Sequence, residues 1–180
     1  NSAFTLSATG FYEFFKNELV TQATQAAGGI TPPNASYTFN APKSEHRGVE
    51  IAADWKFYPG WRFTAAYTYL DQFYTEYTEN IANGGVFSFN RAGNKIPGVS
   101  PNELTARLGY DQMWGPLAGL GGFVEVHWKD SFYMDNANLL KAPGYELVNL
   151  NVHYKTDMIS DYFKSLNLFF EVRNVFDRTY

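Results

Sequence analysis

Apolar and polar side chains take turns along most of this chain, and that two-residue period constrains its fold more than any other feature. Successive side chains of a strand point to opposite faces, so a period of two describes a strand with two different sides. In residues 166–173, Leu166, Leu168, Phe170 and Val172 oppose Asn167, Phe169, Glu171 and Arg173. In residues 122–129, Val124, Val126 and Trp128 oppose Phe123, Glu125, His127 and Lys129. Residues 49–58, 61–70, 104–111 and 146–155 alternate in the same way, and residues 4–14 do so more loosely. The pattern predicts about seven strands, most of them amphipathic.

Alternation is shared by soluble sandwiches, so that class stays open on period alone. The aromatic residues narrow it. The 180-residue chain has 13 Tyr, 16 Phe and 4 Trp, and many close the apolar rows: Trp55 and Phe57, Trp61 and Phe63, Tyr67 and Tyr69, Trp128 and Phe132. Aromatics at strand ends match the two girdles of a transmembrane barrel. No apolar run approaches the roughly 20 residues of a spanning helix. A mean hydropathy of -0.32 does not exclude a membrane strand, because lipid-facing and lumen-facing residues cancel in the average. A net charge of -4 without a basic patch gives no footprint for nucleic acid. The absence of cysteine excludes disulfides and thiolate chemistry.

The links alternate in length. Residues 58–60 and 114–121 are short and rich in Pro and Gly, whereas 21–47, 75–99 and 134–144 are longer and polar. Outer-membrane barrels have short periplasmic turns and long extracellular loops, so the first strand is expected to run outward. The link at 156–165 is then periplasmic, and its sequence suits a helical turn. Lipid cannot hydrogen-bond peptide groups, so a spanning sheet must close. About seven strands starting in strand-like sequence at residues 1–7, in barrels that usually have even numbers, are expected to be part of a larger barrel in a mature or truncated product. The fold class expected is therefore all-β: part of an antiparallel up-and-down transmembrane β-barrel, with residues 1–180 as one partial barrel domain.

Residues that suggest other chemistry have ordinary readings. His46, His127 and His153 lack a tight metal-ligand spacing and suit a wet lumen wall. Asp71, Glu76 and Glu79 lie in or beside a polar loop, where solvated carboxylates are common. Ser131 and Ser160 lack a nucleophile elbow. Gly115, Gly119, Gly121 and Gly122 spell no dinucleotide fingerprint and read as a turn. Asn34-Ala35-Ser36 is formally a glycosylation acceptor and reads as loop. No catalytic residue, metal site or cofactor is expected, and no enzymatic activity.

Several motifs, taken in order, resemble TonB-dependent receptors. The run from Glu171 to Tyr180, with Asn174-Val175-Phe176-Asp177 inside it, resembles the Asn-Leu-Phe-Asp-x-x-Tyr pattern of the family's penultimate strand. Ala142-Pro143-Gly144-Tyr145 followed by Leu147-Val148-Asn149-Leu150, Arg47-Gly48-Val49-Glu50, Tyr67-Thr68-Tyr69-Leu70-Asp71 and the run from Asn94 to Pro101 continue the likeness. The resemblance covers nearly the whole chain. It implies a large barrel filled by an N-terminal plug, in the bacterial outer membrane among outer-membrane lipid and lipopolysaccharide. It further implies energy-coupled uptake of a scarce nutrient, above all a ferric siderophore, through the TonB complex, which is contacted by the plug region. The plug, the TonB-contacting segment and a final strand are not found in these residues, so the function implied is that of the whole receptor. A passive porin-like channel is the alternative, and the sequence upstream of Asn1 separates the two. The loop at 75–91 is the best place for a ligand: Tyr74, Tyr77, Phe87 and Phe89 offer aromatic surface and Arg91 a planar cation.

Overall fold

The structure, a computed structural model, describes residues 3–23, 36–82, 86–157 and 165–179. Every regular element among them is a strand. They are β1 (Ala3–Ala23), β2 (Ser36–Tyr58), β3 (Trp61–Glu76), β4 (Thr78–Ala82), β5 (Val86–Asn90), β6 (Asn102–Asp111), β7 (Leu120–Lys129), β8 (Phe132–Tyr133), β9 (Lys141–Ala142), β10 (Tyr145–Asp157) and β11 (Ser165–Val172). A seven-stranded sheet runs β1-β2-β3-β6-β7-β10-β11. Every pairing in it is antiparallel. Each long strand therefore lies beside the next one in sequence, an up-and-down meander. The pairs β4-β5 and β8-β9 form small separate ladders.

Register carries each sequence face intact around the sheet. One row joins Phe4, Trp55, Phe63, Leu108, Val124, Leu150 and Val172. A row on the opposite face joins Thr5, Asp54, Thr64, Arg107, Glu125 and Asn149. A slip of one residue in any pair would put charge among the apolar rows, so the pattern itself fixes register.

The apolar face has no second layer. Leu6 is 59% exposed, Val152 54% and Phe170 69%, and the described hydrophobic residues that are buried are Tyr74 and Tyr77. A soluble sandwich would pack such rows into a dry centre; here they face outward, as rows meant for lipid do. Near the short-turn end, Phe4, Trp55, Phe57, Trp61 and Tyr110 form a chain of ring contacts across four strands, with centroids 4.9–6.2 Å apart. On β3, Trp61 to Tyr69 matches the roughly 9–11 residues of a tilted spanning strand.

The opposite face is a polar wall. Arg62 Nε donates to Asp54 Oδ1 at 2.9 Å. Arg107 Nε donates to Glu125 Oε2 at 2.8 Å, and Asn149 Nδ2 donates to Glu125 Oε1 at 3.2 Å. These pairs satisfy one another sideways along the sheet.

The long-link expectations need correction. Much of the expected polar segment 21–47 is strand: β1 and β2 stay paired as far as Ala23 and Ser36. Above the lipid no apolar face is required, so the two-period fades while the hydrogen-bond ladder continues. The expected loop 75–99 contains the β4-β5 hairpin. Of the run resembling the penultimate-strand pattern, Glu171 and Val172 end β11, and the described residues after them, with Asn174-Val175-Phe176-Asp177, lie past the strand and make a turn. Asn174 (φ 51°) and Asp177 (φ 49°) are left-handed there, a region that Asn and Asp tolerate. Asn174 Oδ1 accepts from Arg178 N at 2.9 Å. Asn34, Ala35, Ser160 and most of the link at 156–165 lie outside the described residues.

Candidate functional site at the outer rim

At the end of the sheet with the long links, β3 climbs past its lipid-facing rows to Tyr74, and Tyr77, between β3 and β4, joins it in a small core. Tyr74 is 1% exposed and Tyr77 2%. Their rings lie 4.6 Å apart, tilted by 54°, with Ile96 packed against them. Just beyond, β4 and β5 form a hairpin in which Glu79 faces Phe89 and Ile81 faces Phe87. These four share one face, because direct partners point the same way.

The hairpin base is held by charge. Arg91 Nε donates to Glu79 Oε2 at 2.8 Å, and both side chains are largely buried. The Arg91 guanidinium also lies 5.0 Å from the Phe89 ring centre, within cation–π range. The second loop, between β8 and β9, reaches over this core. Tyr74 hydroxyl donates to Asn136 Oδ1 at 3.0 Å, and Asn136 Nδ2 donates to Glu79 Oε1 at 3.1 Å.

A carboxylate organises the wall beneath. Asp71 Oδ2 accepts from Arg47 Nε at 2.9 Å, and its other oxygen receives the Lys95 ammonium. Burial opposes ionisation of Asp71, and hydrogen bonds from Lys95 and Arg47 overcome it, so its carboxyl titrates below its ordinary value. Arg47 and Lys95 both lie over the Phe73 ring, at 5.2 Å and 5.4 Å.

The five residues expected to bind ligand thus divide. Tyr74 and Tyr77 are interior and form the platform. Arg91 is engaged by Glu79. Phe87 and Phe89 are exposed, at 52% and 42%, and form the presented surface. Sequence reading missed Asn136, Asn138 and Asn94. Nothing distinguishes a bridging asparagine from a solvated one in a polar loop without period.

The profile of the TonB dependent receptor-like, beta-barrel family matches residues 1–175. The chain belongs to that family. Several solved receptors share the fold. The ferric yersiniabactin uptake receptor FyuA from Yersinia pestis matches at 21% identity and a TM-score of 0.66, over 97% of this chain and 23% of that one. The siderophore receptor PiuA from Acinetobacter baumannii matches at 22% and 0.67, over 97% and 22%. The pyoverdine receptor FpvA from Pseudomonas aeruginosa PAO1 matches at 20% and 0.60, over 98% and 23%. The chain spans less than a quarter of the length of these receptors. Its place is the bacterial outer membrane, with the sheet as part of the receptor barrel wall.

Within that wall the remaining candidates take structural places. His127 Nε2 lies 2.9 Å from Glu125 Oε1 and its Nδ1 2.9 Å from Thr105 Oγ1. His153 Nε2 lies 2.7 Å from Asp111 Oδ1, and His46 3.2 Å from Ser44. Glu76 pairs with Lys43. Ser131 N donates to Asp130 Oδ1 at 2.8 Å. Gly115 (φ 82°) and Gly119 (φ 90°) form the turn into β7. A Cβ on Gly119 would lie 1.7 Å from the Lys155 carbonyl oxygen, so the backbones themselves meet there.

Proposed function

We propose that residues 1–180 are one partial barrel domain of a receptor that imports an iron-loaded siderophore across the outer membrane. Import draws energy from the inner-membrane TonB complex, contacted through an N-terminal plug region in the remainder of the receptor. The observation that carries this reading is the set of solved neighbours: a ferric yersiniabactin uptake receptor, a ferric preacinetobactin receptor and a siderophore receptor. The chain's own groups serve by binding and positioning, with no bond-making chemistry and no cofactor.

In this reading the β4-β5 hairpin presents Phe87 and Phe89 to the ligand, with Arg91 behind them and Tyr74 and Tyr77 as the support. Exposed aromatic rings give rigid contact area at low entropic cost. The outer side of the wall contacts lipid and lipopolysaccharide.

In the full receptor, replacing Phe87 and Phe89 together by Ala is expected to weaken ferric-siderophore binding about tenfold, roughly 1.4 kcal/mol. A direct titration with a panel of ferric siderophores measures it. Unchanged affinity removes this surface from the site. Growth of a deletion strain on each iron source tests the larger assignment: if no iron source distinguishes it from the parent strain, siderophore import is wrong.

A further inference from the structure

We infer that the two outer loops flanking β6 and β7, one carrying the β4-β5 hairpin and the other the turn between β8 and β9, are a single mechanical unit, and that Asn136 is the positioning residue that joins them.

Asn136 uses its side-chain amide and its backbone carbonyl across the gap. Its Oδ1 accepts from Tyr74 at 3.0 Å. Its Nδ2 donates to the Tyr77 hydroxyl at 3.3 Å and to Glu79 at 3.1 Å. Its backbone carbonyl accepts from Asn94 Nδ2 at 2.7 Å. These four partners lie on the other loop or, for Tyr74, on the end of β3 that leads into it. Two of them are the buried tyrosines, and Glu79 in turn holds Arg91. One amide therefore links the second loop to the core, the hairpin and the cation at its base.

A second residue repeats the arrangement. Asn138 Oδ1 accepts from Lys95 N at 2.7 Å, and its Nδ2 donates to Lys95 O at 2.9 Å. Its side chain thus imitates a strand neighbour for Lys95. Asn138 is left-handed, with φ 57°. Asp135 Oδ1 accepts from Leu139 N at 3.0 Å and from Leu140 N at 2.7 Å, so the turn presenting both asparagines is itself tied. Gly98 N donates to Tyr133 O at 2.8 Å, extending the joint downward.

Tyr74, Tyr77 and the Glu79 side chain are shielded from water, and a buried polar group that loses a partner costs more than the bond contributes. Breaking the joint at Asn136 would remove a hydrogen bond from Tyr74, Tyr77 and Glu79 at once. The loops should therefore open and close as one body, whatever the ligand.

The test uses the full-length receptor, without ligand, by amide hydrogen exchange. Asn136→Ala is expected to accelerate exchange about tenfold in β4, β5 and residues 91–95, remote in sequence from the change. Tyr74→Phe, which keeps the ring and removes one hydroxyl, is expected to accelerate exchange at 134–140 in the opposite loop, with the strand amides of β6 and β7 unchanged. Acceleration confined to the mutated loop in both variants overturns the inference. Should Asn136→Ala loosen the whole barrel, Tyr74→Phe alone decides: cross-loop acceleration supports the joint, and its absence refutes it. Because no ligand is present, failure here leaves the siderophore reading standing, and the converse also holds.

Discussion

Asp71 holds two cations, Arg47 and Lys95, on one carboxylate and so ties β2 and the segment after β5 to β3. Its folded-state carboxyl titrates lower than an unfolded one. The stabilisation it contributes is present above the ordinary carboxylate pKa, and is lost as pH falls through the depressed value. The thermal midpoint of the full receptor in detergent is therefore expected to fall as pH drops below the ordinary aspartate value of about 4. Asp71→Asn should be less stable near neutrality and show a shallower fall. An identical acid profile in the variant would mean that other carboxylates carry the effect. Gly119 offers a second test at this scale. Its φ of 90° and the Lys155 carbonyl 1.7 Å from a would-be Cβ leave no room for a side chain. Gly119→Ala is expected to destabilise the turn by about 1–3 kcal/mol, read as a lowered unfolding midpoint.

A strand such as β7 has two solvents. Val124, Val126 and Trp128 face lipid, while Glu125 and His127 join the polar wall. The row through Ala53, Ala65, Ala106, Val126 and Val148 lies midway along the spanning part of the sheet. An arginine there meets hydrocarbon at mid-depth, at a cost of about 2–4 kcal/mol. Val126→Arg should show that loss in an unfolding titration of receptor folded in vesicles. Thr105→Arg, at nearly the same height on the wet face, should cost far less. Equal losses would contradict the two-faced assignment. All seven long strands were legible as period-two runs because lipid on one side and water on the other impose that period. The hairpin β4-β5 and the outer halves of β1 and β2 were not. They lie beyond the lipid-facing rows, where no continuous apolar face is demanded of a strand.

For the whole barrel wall, the aromatic rows fix depth. Trp61 belongs to the ring chain at the short-turn end, and Trp128 stands on the lipid face nearer the long loops, opposite Leu104. Single-tryptophan receptors retaining either residue are expected to be quenched by lipid-borne quenchers, each most strongly by labels near a membrane interface. Folded protein with unquenched tryptophans would remove the lipid face. From residue order alone came the strands, their two faces and the family likeness, because those depend on local period and short motifs. The candidate site was half legible: the aromatic and cationic residues of the loop stand out by type. Which of them is buried, and that Asn136 joins one loop to the other, was decided only in three dimensions. Tyr74 and Asn136 are neighbours because antiparallel pairing through β6 and β7 returns the chain to the same rim. A hydrogen bond between residues so far apart in sequence leaves no periodic trace along the chain.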